Sequence, residues 1–253
     1  MRGALQRDFH RVLALAPEGL PGPLEGPVLV CLTHSSWWDL MLGEWLSSEV
    51  LQWDSYAAMD ERQLRRYEFM RHLGVIGVDR ASALGARKFL QRGVAVLAGQ
   101  KRALWLTAQG AMLASDARPI RLYGGIAALA RLLPDCRILP VAFQYEFWSE
   151  RKPEALVAFG ESLKPDLEIG RKELTLLLEK RLEETADLLD VARRSRDAAR
   201  FHVLMQGAAE THPVYDFGRR IAARSRGQQI DLSHGAVVTP PRQDPPSSGR
   251  GRF

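Results

Sequence analysis

His34 and Asp39 are the residues of this sequence best suited to moving a proton. They bracket the run His34-Ser-Ser-Trp-Trp-Asp39. Within one ideal helix, five positions would set them about 140° apart, on different faces. If His34 instead precedes the helix and Asp39 falls in its first turn, the side chains can converge. The carboxylate would then fix the imidazole tautomer and leave the other ring nitrogen to take a proton. The same residues also suit a simpler account, a capping histidine and a first-turn aspartate that complements the helix dipole. His10, His72, His202, His212 and His234 lack a comparable acidic partner.

The elements around this pair are legible. Residues 28–32 are Val-Leu-Val-Cys-Leu, the pattern of a strand buried on both faces. The chain turns polar at Thr33, His34, Ser35 and Ser36 and apolar again from Trp37. That is a strand delivering a histidine to a helix start, with hydroxyls at hand to cap free amides. A second informative stretch is Gly74-Val-Ile-Gly-Val-Asp-Arg80, a short strand ending beside a helix that Ser82 begins. An arginine there can grip a phosphate bidentately, or form an ordinary surface pair with a carboxylate.

Residues 1–16 read as an amphipathic helix, with Leu5, Phe9, Val12 and Leu13 at helical spacing and Arg2, Arg7 and Arg11 elsewhere. Such a helix either packs on the domain or lies in a membrane interface, with its arginines at headgroups. A Pro/Gly-rich loop over 17–27 stops it. Strands are expected near 51–59, 102–107, 137–147 and 156–160, and helices over 40–46, 60–73, 82–98, 124–133 and 168–192. Pro140 within the 137–147 strand argues for an edge, a bulge or a bend. Within 168–192, Leu174, Leu177, Leu178, Leu182, Leu188 and Leu189 form a packing stripe. Strands alternating with helices predict one α/β domain, a mainly parallel mixed sheet covered by helices. The organisation expected is an N-terminal helical segment at 1–20, a domain over 27–200, and a disordered tail over 222–253 rich in Arg, Gly, Pro and Ser.

Composition narrows the function classes. No apolar run approaches the roughly 20 residues that span a bilayer, and the N-terminus does not read as a signal peptide. Cys31 and Cys136 lie in apolar runs without metal-ligand spacing, as buried thiols in a reducing compartment do. A formal charge of +5 suits an anionic partner: a membrane surface, a nucleic acid or a phosphorylated substrate. No motif with aromatic platforms supports nucleic acid.

Four blocks over residues 27–160 together resemble the glycerolipid acyltransferase family, whose best-known members acylate lysophosphatidic acid. His34 to Asp39 matches its His-x-x-x-x-Asp signature after a strand. Gly74 to Arg80 is similar to its Gly-x-x-x-Ile/Val-Asp-Arg block. Leu106-Thr-Ala-Gln-Gly110 stands where the family has Phe-Pro-Glu-Gly-Thr-Arg, with Arg121 and Gly124 following. Leu139-Pro-Val141 resembles its Val-Pro-Val strand. The resemblance implies acyl transfer from a thioester of coenzyme A or acyl carrier protein to a hydroxyl of a lysophospholipid or related lipid. His34 would be the general base and Asp39 its support, with the substrate hydroxyl in the place of a hydrolase serine. No covalent enzyme intermediate, metal or further cofactor is required. Arg80, Gln109, Gly110, Arg118 and Arg121 would hold substrate, and Trp37 and Trp38 would line an acyl groove or sit at the interface. A cytoplasmic protein held peripherally on the anionic inner face of the membrane is the expected setting.

The chain also departs from the pattern. The third-block glutamate is Gln109, and the Thr-Arg after its glycine is Ala111-Met112. An amide keeps the hydrogen-bonding reach of a carboxylate without its charge. The acceptor pocket is therefore expected to differ, and a glycosylated lipid such as a carotenoid glycoside is an alternative hydroxyl donor. A thioesterase, with water replacing the acceptor, and a non-catalytic lipid-binding module are the rival readings. The lack of a Gly-x-Ser-x-Gly elbow counts against a serine hydrolase.

Overall fold

The run at 28–32 is apolar throughout because the sheet buries it from both sides. In the computed structural model, which describes residues 1–208 apart from 24 and 100, it forms strand β2 (Val28–Leu32). Val28, Val30 and Leu32 enter one apolar cluster, and Leu29 and Cys31 enter the other. In chain order the helices are α1 (Arg2–Asp8), α2 (Trp38–Trp45), α3 (Glu61–Arg66), α4 (Ala83–Leu97), α5 (Gly125–Arg131) and α6 (Arg171–Ser195). The other strands are β1 (Arg11–Leu15), β3 (Asp54–Asp60), β4 (Val75–Val78), β5 (Arg102–Leu106), β6 (Arg137–Glu146), β7 (Glu154–Phe159) and β8 (His202–Gln206).

One eight-stranded sheet runs β4-β3-β5-β2-β6-β7-β1-β8. The five strands from β4 to β6 are parallel, β7 is antiparallel to β6, β1 follows β7 in parallel, and β8 closes the edge antiparallel to β1. This is the mainly parallel mixed sheet expected. Helices α4, α5 and α6 cover one face, burying Phe89, Leu97, Ile126, Leu174, Leu178 and Leu182. On the other face α1, α2 and the π-helical turn Leu46–Leu51 bury Leu5, Phe9, Leu42, Trp45 and Leu46. The leucine stripe of α6 packs as expected, save that Leu188 is exposed.

Local start signals act as their chemistry requires. Asp60 caps α3 by accepting the Arg62 amide at 2.9 Å, and the Ser82 hydroxyl accepts the Gly85 amide at 2.9 Å to open α4. Cys31 and Cys136 are buried free thiols, and burial pushes both up to about 12.

Two expectations are corrected. The helix expected over 1–16 covers only Arg2–Asp8, and residues 11–15 form β1, an interior strand. Leu5 and Phe9 are buried in the core and have no part in a membrane interface, and Arg2, Arg7 and Arg11 pair with Glu49, Asp8 and Glu154. The compact unit spans Met1–Ala209, so the boundaries expected at 20, 27 and 200 fall inside it, and β8 was not expected at all. Pro140 lies on an interior strand, and of the edge, bulge or bend expected there the structure has an irregularity in the ladder. The β6–β7 ladder ends at Val141–Phe159, and the next bridge, Ile138–Leu163, is one residue out of register. A residue without an amide hydrogen sits at that irregularity, and its carbonyl still accepts the Gly160 amide at 2.9 Å. The tail expected over 222–253 lies outside the described residues.

Candidate active site

The site is assembled where β2 ends. The Thr33 amide still bonds the Val141 carbonyl of β6 at 3.1 Å, and the Thr33 hydroxyl accepts the Phe143 amide at 3.0 Å. The chain then leaves the sheet at its carboxyl edge, between strands whose onward connections run to opposite sides. Crevices of this kind bind ligands in open α/β sheets. The Ser36 hydroxyl accepts the Trp38 amide at 3.2 Å, so one of the expected capping hydroxyls does cap α2.

This turn brings His34 and Asp39 together. His34 Nδ1 lies 2.8 Å from Asp39 Oδ2, and the same oxygen accepts the Ser35 amide at 2.8 Å and the Ser36 amide at 3.0 Å. Asp39 Oδ1 accepts the Tyr145 hydroxyl hydrogen at 2.7 Å from the end of β6. Asp39 is wholly buried, and its carboxylate is satisfied by four donors. Hydrogen bonds to a charged group contribute about 1.5–3 kcal/mol each, which holds the carboxylate in this dry position. With Asp39 accepting, Nδ1 carries the hydrogen and Nε2 presents a lone pair. The His34 side chain is 15% exposed. Burial, the Asp39 charge and the hydrogen bond to it push the Tyr145 phenol well above 10, so it remains a donor.

The His34 backbone is held as firmly as its ring. Its amide donates to Gln109 Oε1 at 2.8 Å, and its carbonyl accepts the Leu113 amide at 2.8 Å. Gln109, expected to touch substrate, therefore braces the His34 backbone. Gly110 follows at φ +74°, where a side chain would collide with Arg80 and the Tyr123 ring. Its carbonyl accepts from Arg80 Nη1 at 2.8 Å, and the Arg80 guanidinium lies over Tyr123 at 5.1 Å and 3.5 Å from Asp60.

The remaining expected site residues are dispersed. Arg118 shares a small pocket with His34, but its guanidinium binds Asp187 of α6 at 2.7 and 2.9 Å and two carbonyls of its own loop. Arg121 pairs with Glu179 of α6 at 2.9 Å. Trp37 is half exposed at the start of α2, and Trp38 packs edge-on against Phe9 with centroids 5.0 Å apart. Tyr145 is the residue that sequence reasoning missed. It is 106 positions from Asp39, and a tyrosine ending a strand carries no local mark of such a role.

A cavity of about 580 Å³ opens beside this turn, walled in part by Phe9, Ser35, Trp38, Gln144, Tyr145 and Phe147. The α/β sheet thus presents an aspartate-backed histidine at the end of a central strand, with room beside it. The chain belongs to the Acyltransferase family, whose model matches residues 11–144, from β1 through Gln144 of β6. The resemblance carried by the four sequence blocks holds at that level, and acyl transfer is the activity that membership brings. No curated protein sequence matches the chain. Among solved structures, the 1-acyl-sn-glycerophosphate (LPA) acyltransferase PlsC from Thermotoga maritima is similar at 16% identity. The match covers 69% of this chain and 71% of that one, with a TM-score of 0.41.

Proposed function

We propose that this acyltransferase moves a fatty acyl group from a thioester, of coenzyme A or acyl carrier protein, to a lipid hydroxyl, with His34 as general base. The observation that carries the reading is the 2.8 Å contact of His34 Nδ1 with a fully buried Asp39 held by three further donors. That arrangement fixes the tautomer with Nε2 free to receive a proton.

The acceptor hydroxyl gives its proton to His34 Nε2 as its oxygen bonds to the thioester carbonyl carbon. Collapse of the tetrahedral intermediate breaks the carbon–sulfur bond. The imidazolium then returns its proton to the departing thiolate, so ester and free thiol leave together. Asp39 stabilises the transient imidazolium, as the aspartate of a hydrolase triad does. Tyr145, unable to ionise in the working range, keeps Asp39 oriented.

Peripheral attachment to the anionic cytoplasmic face of the membrane belongs to the same reading. The formal charge of +5 supports it, as do the exposed Trp37, Met112 and Leu113 on the segments flanking His34. Among the described residues no helix is long and apolar enough to cross a membrane. Sedimentation with phosphatidylglycerol vesicles should weaken as salt rises, and binding indifferent to salt would contradict this attachment.

The test of the catalytic reading is labelled acyl-coenzyme A with a total polar lipid extract, run beside His34→Ala. The expected result is a labelled lipid that the variant does not make. Free acid as the sole product would show a thioesterase, and a variant as active as the native chain would remove His34 from the chemistry.

A further inference from the structure

Between β5 and α5 the chain runs through residues 107–124 without a helix or strand. Connections of that length are uncommon in compact domains and tend to carry function. This one runs against the proposed base. The Leu113 amide bonds the His34 carbonyl at 2.8 Å, and Ala117, Arg118 and Ile120 wall the small pocket that holds His34. Ala114 and Ser115 wall both that pocket and the larger cavity beside it.

The far half of the loop is held from α6. Glu183 Oε2 accepts the Ile120 amide at 2.7 Å, and Glu179 Oε1 accepts the Leu122 amide at 2.9 Å. Glu179 Oε2 accepts from Arg121 Nη1 at 2.9 Å, and Asp187 Oδ1 accepts from Arg118 Nε and Nη2 at 2.9 and 2.7 Å. Glu179, Glu183 and Asp187 follow one another at four-residue spacing, so they form one row along the helix. Like charges at that spacing repel each other, so the row does not serve the helix itself. The loop compensates it with two backbone amides and two guanidiniums. Glu179 is 8% exposed, a depth at which a carboxylate without partners is costly. A neighbouring stripe, Leu174, Leu178, Leu182 and Leu189, is buried in the core beneath the helix. One side of α6 is thus fixed to the domain, and a second side carries the loop. The helix begins at Arg171, beyond the residues 11–144 that the family model matches.

We propose that Glu179, Glu183 and Asp187 are positioning residues for acyl transfer: through them α6 sets the loop that walls the His34 pocket. The inference rests on the reading that His34 is the general base, and it brings a helix outside the matched residues into that site. The coupling runs from carboxylate to loop amide, along the loop to Leu113, and from Leu113 to the His34 carbonyl.

Residue-resolved amide hydrogen exchange and initial-rate acyl transfer test it on the full chain, comparing native, Glu183→Ala, Glu183→Gln and Glu184→Gln. Glu184 is half exposed and pairs with Lys180 and Arg181 of its own helix, which makes it the control. Glu183→Ala should speed exchange at Ile120 about tenfold or more, because a hydrogen bond to a charged group is lost. It should speed exchange at Leu113 as well, and lower kcat/KM by about 10–100-fold as the wall shifts. Glu183→Gln keeps an acceptor oxygen at the same reach and should restore most of both. Glu184→Gln should match the native chain in both. Faster exchange at Ile120 with Leu113 and kcat/KM unchanged overturns the proposal, as does a glutamine variant as impaired as the alanine one. Should Glu183→Ala fail to fold, Asp187→Ala decides, since Asp187 holds only the Arg118 side chain. Its kcat/KM should fall about two- to fivefold, and native values there overturn the proposal. Exchange is read without turnover, so the two readings fail separately. Coupled exchange at Leu113 in a chain whose His34→Ala variant is fully active removes the catalytic reading alone. His34-dependent turnover with Leu113 uncoupled from Glu183 removes the positioning role alone.

Discussion

Along β6, Tyr145 gives its hydroxyl hydrogen to Asp39, whereas Gln144, one residue earlier and on the opposite face of the strand, has neither amide atom paired. The same contrast runs through the β2–α2 turn, where the Ser35 amide is bonded to Asp39 and the Ser35 hydroxyl is not. Groups that hold His34 and Asp39 in place are saturated, whereas the Gln144 amide and the Ser35 hydroxyl are buried without a partner. The first arrangement fixes a tautomer and a position at the cost of adaptability. The second leaves buried polar groups unsatisfied, at a cost in stability. Saturated and unsatisfied polar groups thus sit within a few residues of each other, and mutation should separate their effects.

The largest effect should fall on turnover through the saturated side. Replacing His34 by alanine is expected to lower acyl transfer by about 10²–10⁴-fold in initial-rate assays. A rate unchanged by the substitution would erase the distinction between the two sets of groups. Asp39→Ala strands the Tyr145 hydroxyl and two amides and should destabilise the fold by about 3–5 kcal/mol in urea unfolding, besides abolishing turnover. Tyr145→Phe leaves three of the four donors. It should cost about 1.5–3 kcal/mol of stability and lower kcat with the acceptor KM unchanged. A change confined to KM would place Tyr145 in substrate binding instead.

Smaller effects are expected at the braces and the floor. Gln109→Ala removes one bond to the His34 backbone and should cost about 1 kcal/mol, while Gln109→Glu keeps an acceptor there and should retain most activity. Beneath both regions, Cys31 should resist thiol reagents at pH 8 in the native chain and react once the chain is unfolded. Burial holds the thiol near 12 in the fold against about 8.5 in a free chain. The raised value contributes stability that is present below the unfolded-chain pKa and is lost as pH rises towards the folded one. The Tyr145 phenol acts in the same direction. Unfolding free energy should therefore decline from about pH 9 upward, and a flat profile to pH 11 would contradict the burial of both groups.

Much of this was legible because it is local. The β2 run, the polar break at Thr33 to Ser36, the caps at Asp60 and Ser82 and the alternation of strands with helices are each written within a dozen residues. The convergence of His34 and Asp39 followed from placing one before the helix and one inside it. What the sequence concealed depends on distant partners. Val12 to Leu15 fit a helical spacing as well as a strand, because a strand buried on both faces shows no alternation. Only pairing with β7 and β8 decides between them. The commitments of Arg118 and Arg121 to Asp187 and Glu179 span 69 and 58 positions, and Tyr145 reaches Asp39 across 106. Gln109 was noticed as a departure, but its bond to the His34 amide follows from the turn at Gly110, which composition does not reveal.

The interior place of β1 has a consequence for how the chain is made. Arg11 is bonded to Glu154, its register partner on β7, across 143 residues. At about 5–20 residues per second, a ribosome needs roughly 7–30 s to bring the two together. Throughout that interval Val12, Leu13, Ala14 and Leu15, all buried in the finished sheet, have no strand beside them. Loop closure on this scale makes folding slow and leaves an apolar segment available to other chains. Nascent-chain protection should therefore centre on this first strand, well before the histidine's own neighbourhood is complete.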